Sequence, residues 1–465
     1  MRVELAIEGL APGGEGLGRD GARPVFVPFT APGDRVEAEV AAGKGPGRGE
    51  LRRLLEPGPD RVQPPCRHFG PGGPAAPPGR SDAPASPSPV GGRSPPPPPL
   101  APGQEEPDRM CGGCEWLHLR YPAQLLQKAR ALEATLWRIG RLPPGSYQLL
   151  PALPSPSPLR YRSRAKFHLE RRSGRLCFFR RRSHEPVRLA ECHLLEGELD
   201  ALREAVGPAL SGAGLCPGEV TLEWSGHDGR GAAALSLPAI SPAARERTER
   251  LLRAVPPLAG AVLLAEGVAP QLVGDPVLFH HRRPGEPGRG LARSRPDVFR
   301  QANRRANALL VEAALDLLRP EGEVLELFCG SGNFTGPLLD RAASVAAVEV
   351  QGPALELARR DLEGASPDRL RFFAGDALGL ARAFAREAGP GARRFGAALL
   401  DPPREGARGL GPVLRDLSVP RAVYVSCDPA TLARDLRGCV EAGFRVVAVQ
   451  PVDMFPQTHH VEAVA

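Results

Sequence analysis

Lysine is almost absent from this 465-residue chain. Lys44, Lys128 and Lys166 are the only three, although lysine and arginine together number 60. The cationic side chains are therefore nearly all guanidinium, a planar fork that matches phosphate and stays charged at any biological pH. Two explanations stay open: a composition habit of the genome, or phosphate clamping. A formal charge of +7 and an isoelectric point near 9.1 suit a polyanionic partner without proving one. Long apolar runs are missing as well. No run approaches the roughly 20 residues that span a bilayer, and residues 1–30 carry no secretory pattern of charge followed by an apolar stretch. A cytoplasmic protein without membrane association is expected. Nine cysteines in a reducing compartment argue against a disulfide framework and for metal or catalytic use.

The length suggests about three domains. Residues 1–58 alternate β-like runs, Val3–Ile7, Pro24–Pro28 and Arg35–Val40, with turns at Gly13-Gly14 and Pro32-Gly33-Asp34. This predicts a small β-barrel of the OB type, a shape that serves nucleic-acid binding or plain structure. Residues 71–109 are mostly Pro, Gly, Ser and Ala and include Pro95–Pro99. They cannot bury enough apolar surface to offset their ordering entropy, so disorder is expected there. Leu125, Leu126, Ala129, Leu132, Leu136 and Ile139 predict a helix over 122–142, expected to pack on the last domain. Residues 159–295 are mixed. Phe167, Leu169, Leu176 and Phe178 predict a hairpin closed at Ser173-Gly174. Arg171, Arg172, Arg175, Arg180, Arg181 and Arg182 crowd it, either as a solvated face or as an RNA contact. Phe299–Leu318 reads as one long helix, and residues 320–465 alternate strand and helix patterns, which implies a mostly parallel sheet.

In that last region three apolar runs, Phe395–Leu400, Arg421–Val425 and Phe444–Val449, each deliver polar groups at their C-terminal ends. These are Asp401-Pro402-Pro403-Arg404, Ser426-Cys427-Asp428-Pro429, and the segment from Asp453 to Glu462. Ligands bind at that edge of an open α/β sheet. A thiol there beside carboxylates suits an activated nucleophile with an acid/base partner, against the alternative of a buried structural thiol. Cys177, Cys216, Cys329 and Cys439 are read as structural.

The first βα unit runs Glu323–Leu327, then Phe328-Cys329-Gly330-Ser331-Gly332-Asn333-Phe334. Glycines there let a cofactor approach the backbone, and Glu349, ending the next strand, stands where an acid grips ribose hydroxyls. The third glycine of a dinucleotide loop is missing, which disfavours NAD and FAD and favours S-adenosylmethionine. Asp376, after a third strand, is placed to meet an adenine edge. Amine methyltransferases usually put an aromatic residue after the two prolines of Asp401-Pro402-Pro403; arginine follows here. Carbon 5 of a pyrimidine, unlike an amine, has no lone pair. It becomes nucleophilic only when a thiolate adds at C6, and its proton must then leave to a base. Cys427 and Glu462 supply those needs. Cytosine-C5 enzymes carry a cysteine beside the proline at Asp401, and none stands here, so uracil is preferred. Separately, Cys66, Cys111, Cys114 and Cys192 allow a four-cysteine site for zinc or an iron–sulfur cluster, which spacing alone does not distinguish.

Taken together, the chain resembles the RNA uracil-C5 methyltransferases, most of all the 23S rRNA branch that joins a TRAM barrel, an iron–sulfur central domain and a methyltransferase domain. The resemblance covers nearly the whole chain. It rests on Cys66-Arg67-His68-Phe69-Gly70, Cys111-Gly112-Gly113-Cys114, Tyr161-Arg162-Ser163-Arg164, Phe299-Arg300-Gln301-Ala302-Asn303, Leu327-Phe328-Cys329-Gly330, Asp401–Arg404, Ser426–Pro429 and Phe455–Glu462. It implies a Rossmann-like α/β class I methyltransferase domain at 296–465, a mixed α+β RNA-binding central domain at 59–295 and the barrel at 1–58. It implies S-adenosylmethionine contacts from Gln301, Phe328, Asn333, Glu349 and Asp401, and a [4Fe–4S] cluster on Cys66, Cys111, Cys114 and Cys192. Cys427 would be the nucleophile and Glu462 the base, with rRNA the expected substrate, tRNA the alternative, and a monomer the expected state. A non-catalytic RNA-binding protein with a decayed methyltransferase fold is the rival reading. The chain departs from the family in three ways. The Pro-rich insert separates Cys66 from Cys111, Asp428 replaces the usual asparagine, and the strand holding Glu462 is expected to be short.

Overall fold

Six strands between Arg2 and Glu56 form one sheet in a computed structural model that describes residues 1–43, 45–70, 110–282, 290–388 and 395–465. The Pro-rich insert, expected to be disordered, lies outside the described residues. The strands are β1 (Arg2–Ala6), β2 (Gly9–Leu10), β3 (Gly16–Asp20), β4 (Arg23–Val27), β5 (Arg35–Val40) and β6 (Gly47–Glu56), in the order β1-β5-β6-β4-β3-β2. Alternation sets the faces. In β5, Val36, Ala38 and Val40 are buried with Leu5, Ile7, Val25 and Val27, while its acidic residues turn outward to pair with arginines across the sheet, as in Glu39–Arg52 at 2.7 Å. Gly49 of β6 needs its missing side chain, because a Cβ there would meet Val27 at 3.0 Å and Ala38 at 3.3 Å. The sequence pattern missed β3 and β6. Both are rich in Gly, Arg or Glu, and pairing partners rather than propensity make them strands.

The chain divides into two compact units. One holds Met1–Gln127, Phe167–Leu194 and Pro456–His459; the other holds Lys128–Lys166, Leu195–Phe455 and His460–Ala465. The expected hairpin forms between Arg164–Glu170 and Arg175–Phe179, with Phe167 and Phe178 stacked at 5.1 Å. In the second, the strands Glu219–Ser225, Arg230–Ser236, Leu258–Ala265 and Val268–Gly274 pair in that order and are covered by the helices Gly197–Gly212 and Pro242–Ala254.

The larger unit also holds the sheet that positions the site. Its strands run in space as Leu370–Ala374, Ser344–Glu349, Glu323–Leu327, Ala397–Leu400, Ala422–Ser426, Glu462–Val464, Ala448–Val452 and Gln148–Leu149. All neighbouring pairs are parallel except the two made by Glu462–Val464. Both faces are buried, as a parallel sheet requires. Val324, Ala397, Leu399, Val423 and Val425 point into one core beneath the helix Arg304–Leu318. Leu325, Leu327, Ala398, Leu400 and Tyr424 point into the other, beneath Ala377–Ala388 and Pro429–Glu441.

Three sequence expectations shift. The helix α1 (Tyr121–Arg138) forms, and Leu132 and Leu136 join the second core, but Leu126 and Ile139 are exposed. Its buried stripe is Gln124, Lys128, Leu132, Leu136, four residues apart, so two polar side chains take places that the apolar pattern assigned to leucine and isoleucine. The helix expected from Phe299 starts at Arg304 instead, because the Asn303 side chain accepts the amide of Ala306 and caps it. The strand expected over Phe444–Val449 begins at Ala448, since Gly443, at φ 99°, ends the preceding helix and the chain must first return to the sheet edge.

Candidate active site

Cys427 follows Ser426 at the C-terminal end of its strand and immediately precedes the helix Pro429–Glu441. Asp428 caps that helix, its carboxylate accepting the amides of Ala430 and Thr431 at 2.9 Å each. The three-residue strand Glu462–Val464 lies between the Cys427 strand and Ala448–Val452, antiparallel to both. Val425 pairs with Val464 and Ser426 with Ala463, so the next position along the ladder sets Cys427 opposite Glu462. Residues so opposed have Cβ atoms roughly 5 Å apart. Short as it is, the strand is internal to the sheet and buried throughout. Asp401 ends the neighbouring strand on the other side, its amide donating to Leu327 O at 3.4 Å.

Thus Asp401, Cys427 and Glu462 share one edge of three adjacent strands. Burial pushes the Glu462 carboxyl up to about 8, with Asp401 adding to the rise and Arg404 opposing it. Burial also raises Asp401, to about 7. The Cys427 thiol is pushed up to about 11 by burial and by Glu462 and Asp401, again against Arg404. Arg404 thus opposes the rise at both Cys427 and Glu462. The sequence reading used it to choose between chemistries without giving it a role. As it stands the thiol is protonated at neutral pH, so attack by sulfur needs a positive charge or a proton acceptor close by.

Several of the residues expected to contact the cofactor lie on the neighbouring loop. Phe328, Gly330 and Gly332 all have positive φ, at 63°, 55° and 87°, and carry the chain past the strand end. Glu349 braces this loop, its Oε2 accepting Gly330 N at 2.9 Å and its Oε1 accepting Gln351 N at 2.7 Å. Asn333 exchanges two hydrogen bonds with Asn307, at 2.8 and 3.0 Å, which fixes the loop against the Arg304–Leu318 helix. Asp376 is exposed and accepts Gly379 N at the start of its helix. Gln301 is 9% exposed, in the turn before the Asn303 cap. Sequence reading passed over Glu326. It is fully buried, raised to about 8 by burial with Asp401 and Glu349 adding, and Thr335 opposes the rise. A second acid, three residues after Glu323 in the otherwise apolar Glu323–Leu327 strand, was the available signal.

The cysteine constellation is only partly assembled. Burial pushes Cys66 up to about 11 and Cys111 up to about 12, with Cys192 adding to both rises and Cys66 adding to that of Cys111, so the three lie near one another. Yet among the described residues no three or more His, Cys, Asp or Glu side chains are arranged to hold a metal ion. The donor set suits an iron–sulfur cluster, but the expected four-thiolate centre is not assembled.

A doubly covered, mostly parallel sheet with a glycine loop, an acid ending the second strand and an antiparallel strand at the catalytic edge defines a class I methyltransferase fold. Comparison with known proteins carries this further. The tRNA (Uracil-5-)-methyltransferase family model matches residues 289–465, and the TRAM domain model matches residues 2–50. A 23S rRNA (uracil(1939)-C(5))-methyltransferase of Alkalilimnicola ehrlichii is 32% identical over 99% of this chain and 95% of its own. The protein of that description from Pseudomonas putida is 32% identical over 100% of this chain and 93% of its own. Among solved structures, the tRNA (uracil-54, C5)-methyltransferase of Pyrococcus abyssi with S-adenosyl-L-homocysteine superposes with a TM-score of 0.68. It covers 100% of this chain and 99% of its own at 20% identity, a likeness of fold. The chain belongs to the RNA uracil-C5 methyltransferase family. It is an S-adenosylmethionine-dependent enzyme that methylates C5 of uracil in RNA, and it carries a TRAM domain. No helix among the described residues is long and apolar enough to cross a membrane.

Proposed function

We propose that this enzyme methylates a uracil of 23S rRNA through a covalent adduct between Cys427 and C6 of the base. The observation that carries the mechanism is the ladder position that sets Cys427 opposite Glu462, with Asp401 ending the next strand. S-adenosylmethionine, when bound, supplies the electrophilic methyl group. Cys427, as thiolate, forms a bond to C6 and moves the C5=C6 electron pair onto C5, which takes the methyl. Glu462, as carboxylate, then removes the C5 proton. The C5–H electrons re-form the C5=C6 bond, the C6–S bond breaks, and the thiolate leaves. Arg404 is the group that favours thiolate at Cys427. Glu349 holds the cofactor loop through Gly330, and its position suits ribose recognition, with Gln301, Phe328, Asn333, Asp376 and Asp401 lining the rest. The target base must leave a helix or come from a single strand to reach the thiol.

Support for rRNA is the full-length similarity to the two 23S rRNA enzymes. The test is methylation of 23S rRNA and tRNA transcripts with mapping of the product base. Methyl groups on C5 of uracil in rRNA are expected; modification of tRNA alone would contradict the substrate. Wild type should form an adduct with 5-fluorouridine RNA, and Cys427→Ala should lose both adduct and activity. Full activity in Cys427→Ala would falsify the mechanism. For Cys66, Cys111, Cys114 and Cys192 we propose a [4Fe–4S] cluster, supported by the four-thiolate donor set and by the proximity of three of its members. Anaerobic purification should yield iron and sulfide in equal amounts, and stoichiometric zinc would overturn the assignment.

A further inference from the structure

The buried stripe of α1 holds two polar side chains one helical turn apart, and both meet the segment that leads into Glu462. Lys128 is 1% exposed, and its Nζ donates to Asp453 Oδ1 at 2.5 Å and to Phe455 O at 2.9 Å. The same Asp453 oxygen accepts Phe455 N at 3.2 Å, so one carboxylate turns the chain where the strand Ala448–Val452 ends. Gln124, fully buried, donates from Nε2 to Gln457 Oε1 at 2.8 Å, and its Oε1 accepts Gln457 N at 2.9 Å. Gln457 O accepts the amides of Glu115 and Trp116 at 3.0 Å each. Gln457 also has φ 69°, a conformation rare for a side chain of its size that persists only where neighbours over-determine it. The segment from Asp453 to Gln457 is thus fixed at two points by one helix, a few residues before Glu462.

Stability does not explain Lys128. A buried ion pair is a poor stabiliser, since desolvating two charges offsets their attraction and packed apolar groups do as well. The next two members of the stripe, Leu132 and Leu136, show that leucine is accepted on this face of the helix. A buried charge does fix direction and distance, which apolar contact does not. Geometry matters here because Glu462 must meet C5 of the base only after the methyl group has arrived, and a misplacement of about 1 Å can lower a rate roughly 100-fold.

We propose that Lys128, seconded by Gln124, is a positioning residue of the methyl transfer reaction: it sets the Asp453–Gln457 segment so that Glu462 stands ready to take the C5 proton. The inference rests on the covalent mechanism proposed above. It separates two phases of the reaction, since Cys427 reaches the edge on another strand and attack and methyl transfer do not need the base. The test compares wild type, Lys128→Met and Gln124→Leu in three readouts: S-adenosylmethionine binding by calorimetry, adduct formation with 5-fluorouridine RNA, and turnover on ordinary RNA. The fluorine-bearing base cannot lose a C5 proton, so its adduct reports every step up to methyl transfer and none after. Both variants are expected to bind the cofactor and form that adduct as wild type does. On ordinary RNA, turnover is expected to fall tenfold or more while a methylated adduct at Cys427 persists. Wild-type turnover in both variants overturns the proposal, and so does a parallel loss of fluorouridine adduct and turnover in both. If wild type itself forms no adduct, the covalent mechanism falls and this inference with it. A wild-type adduct beside freely turning-over variants overturns the inference alone.

Discussion

The barrel and the methyltransferase sheet both bury carboxylates, and they treat them in opposite ways. Asp34 in the barrel is fully buried and saturated: it accepts the amides of Ala31 at 2.6 Å and Gly58 at 2.8 Å and grips the Arg61 guanidinium at 2.7 Å. At the sheet edge, Glu462 and Glu326 are buried and Asp401 half-buried, all with little compensation, and desolvation holds each well above the usual carboxylate range. A saturated acid is a structural joint. An acid denied its solvation and given few partners is poised to hold and release a proton near neutral pH, which catalysis by a base requires.

The largest break in this contrast is Glu462→Gln. It removes the proposed base while keeping the shape, so turnover should fall by about 10²–10⁴-fold with no loss of melting temperature. Asp34→Ala should do the reverse. Stranding Arg61 in its partly buried site removes about 3–5 kcal/mol of stability, read by denaturant unfolding, while folded protein still binds S-adenosylmethionine. A smaller effect sharpens the comparison by pH. Glu462, Glu326 and Asp401 have raised values in the folded state, about 8, 8 and 7 against 4.5, 4.5 and 3.8 when free. The folded protein keeps these protons where the unfolded chain has lost them, so their contribution is full below about pH 4 and is lost as pH rises through 8. Melting temperature should therefore decline over that window, and Glu462→Gln should flatten part of the decline. Activity should move oppositely, rising toward pH 8 as Glu462 becomes able to accept a proton. The smallest effect is expected at the barrel surface: Arg52→Ala, which removes the exposed pair with Glu39, should leave the denaturant midpoint essentially unchanged.

The same contrast explains what could be read in the sequence. The strand Glu323–Leu327 was legible to the residue, because its apolar run, the glycine loop after it and the acid ending the next strand are local signals. The edge carrying Asp401 and Cys427 was legible for that reason too. Side chains whose burial depends on distant partners were not. Gln124 and Lys128 fall outside the apolar positions read for α1, and nothing nearby in sequence announces Gln457 or Asp453. Glu326 drew no notice, because nothing local shows that the Arg304–Leu318 helix covers that face of the sheet. The place of Glu462 depended on a three-residue strand slipping between two others, and no local pattern encodes that.

One measurement bears on the central pairing directly. Glu462→Gln, incubated with substrate RNA and S-adenosylmethionine and then digested for mass spectrometry, should carry a nucleotide on Cys427 with one added methyl group. The strand ladder predicts that species because attack and methyl transfer proceed while proton removal fails. An adduct on another residue, or no adduct in a variant that still binds RNA and cofactor, would contradict it.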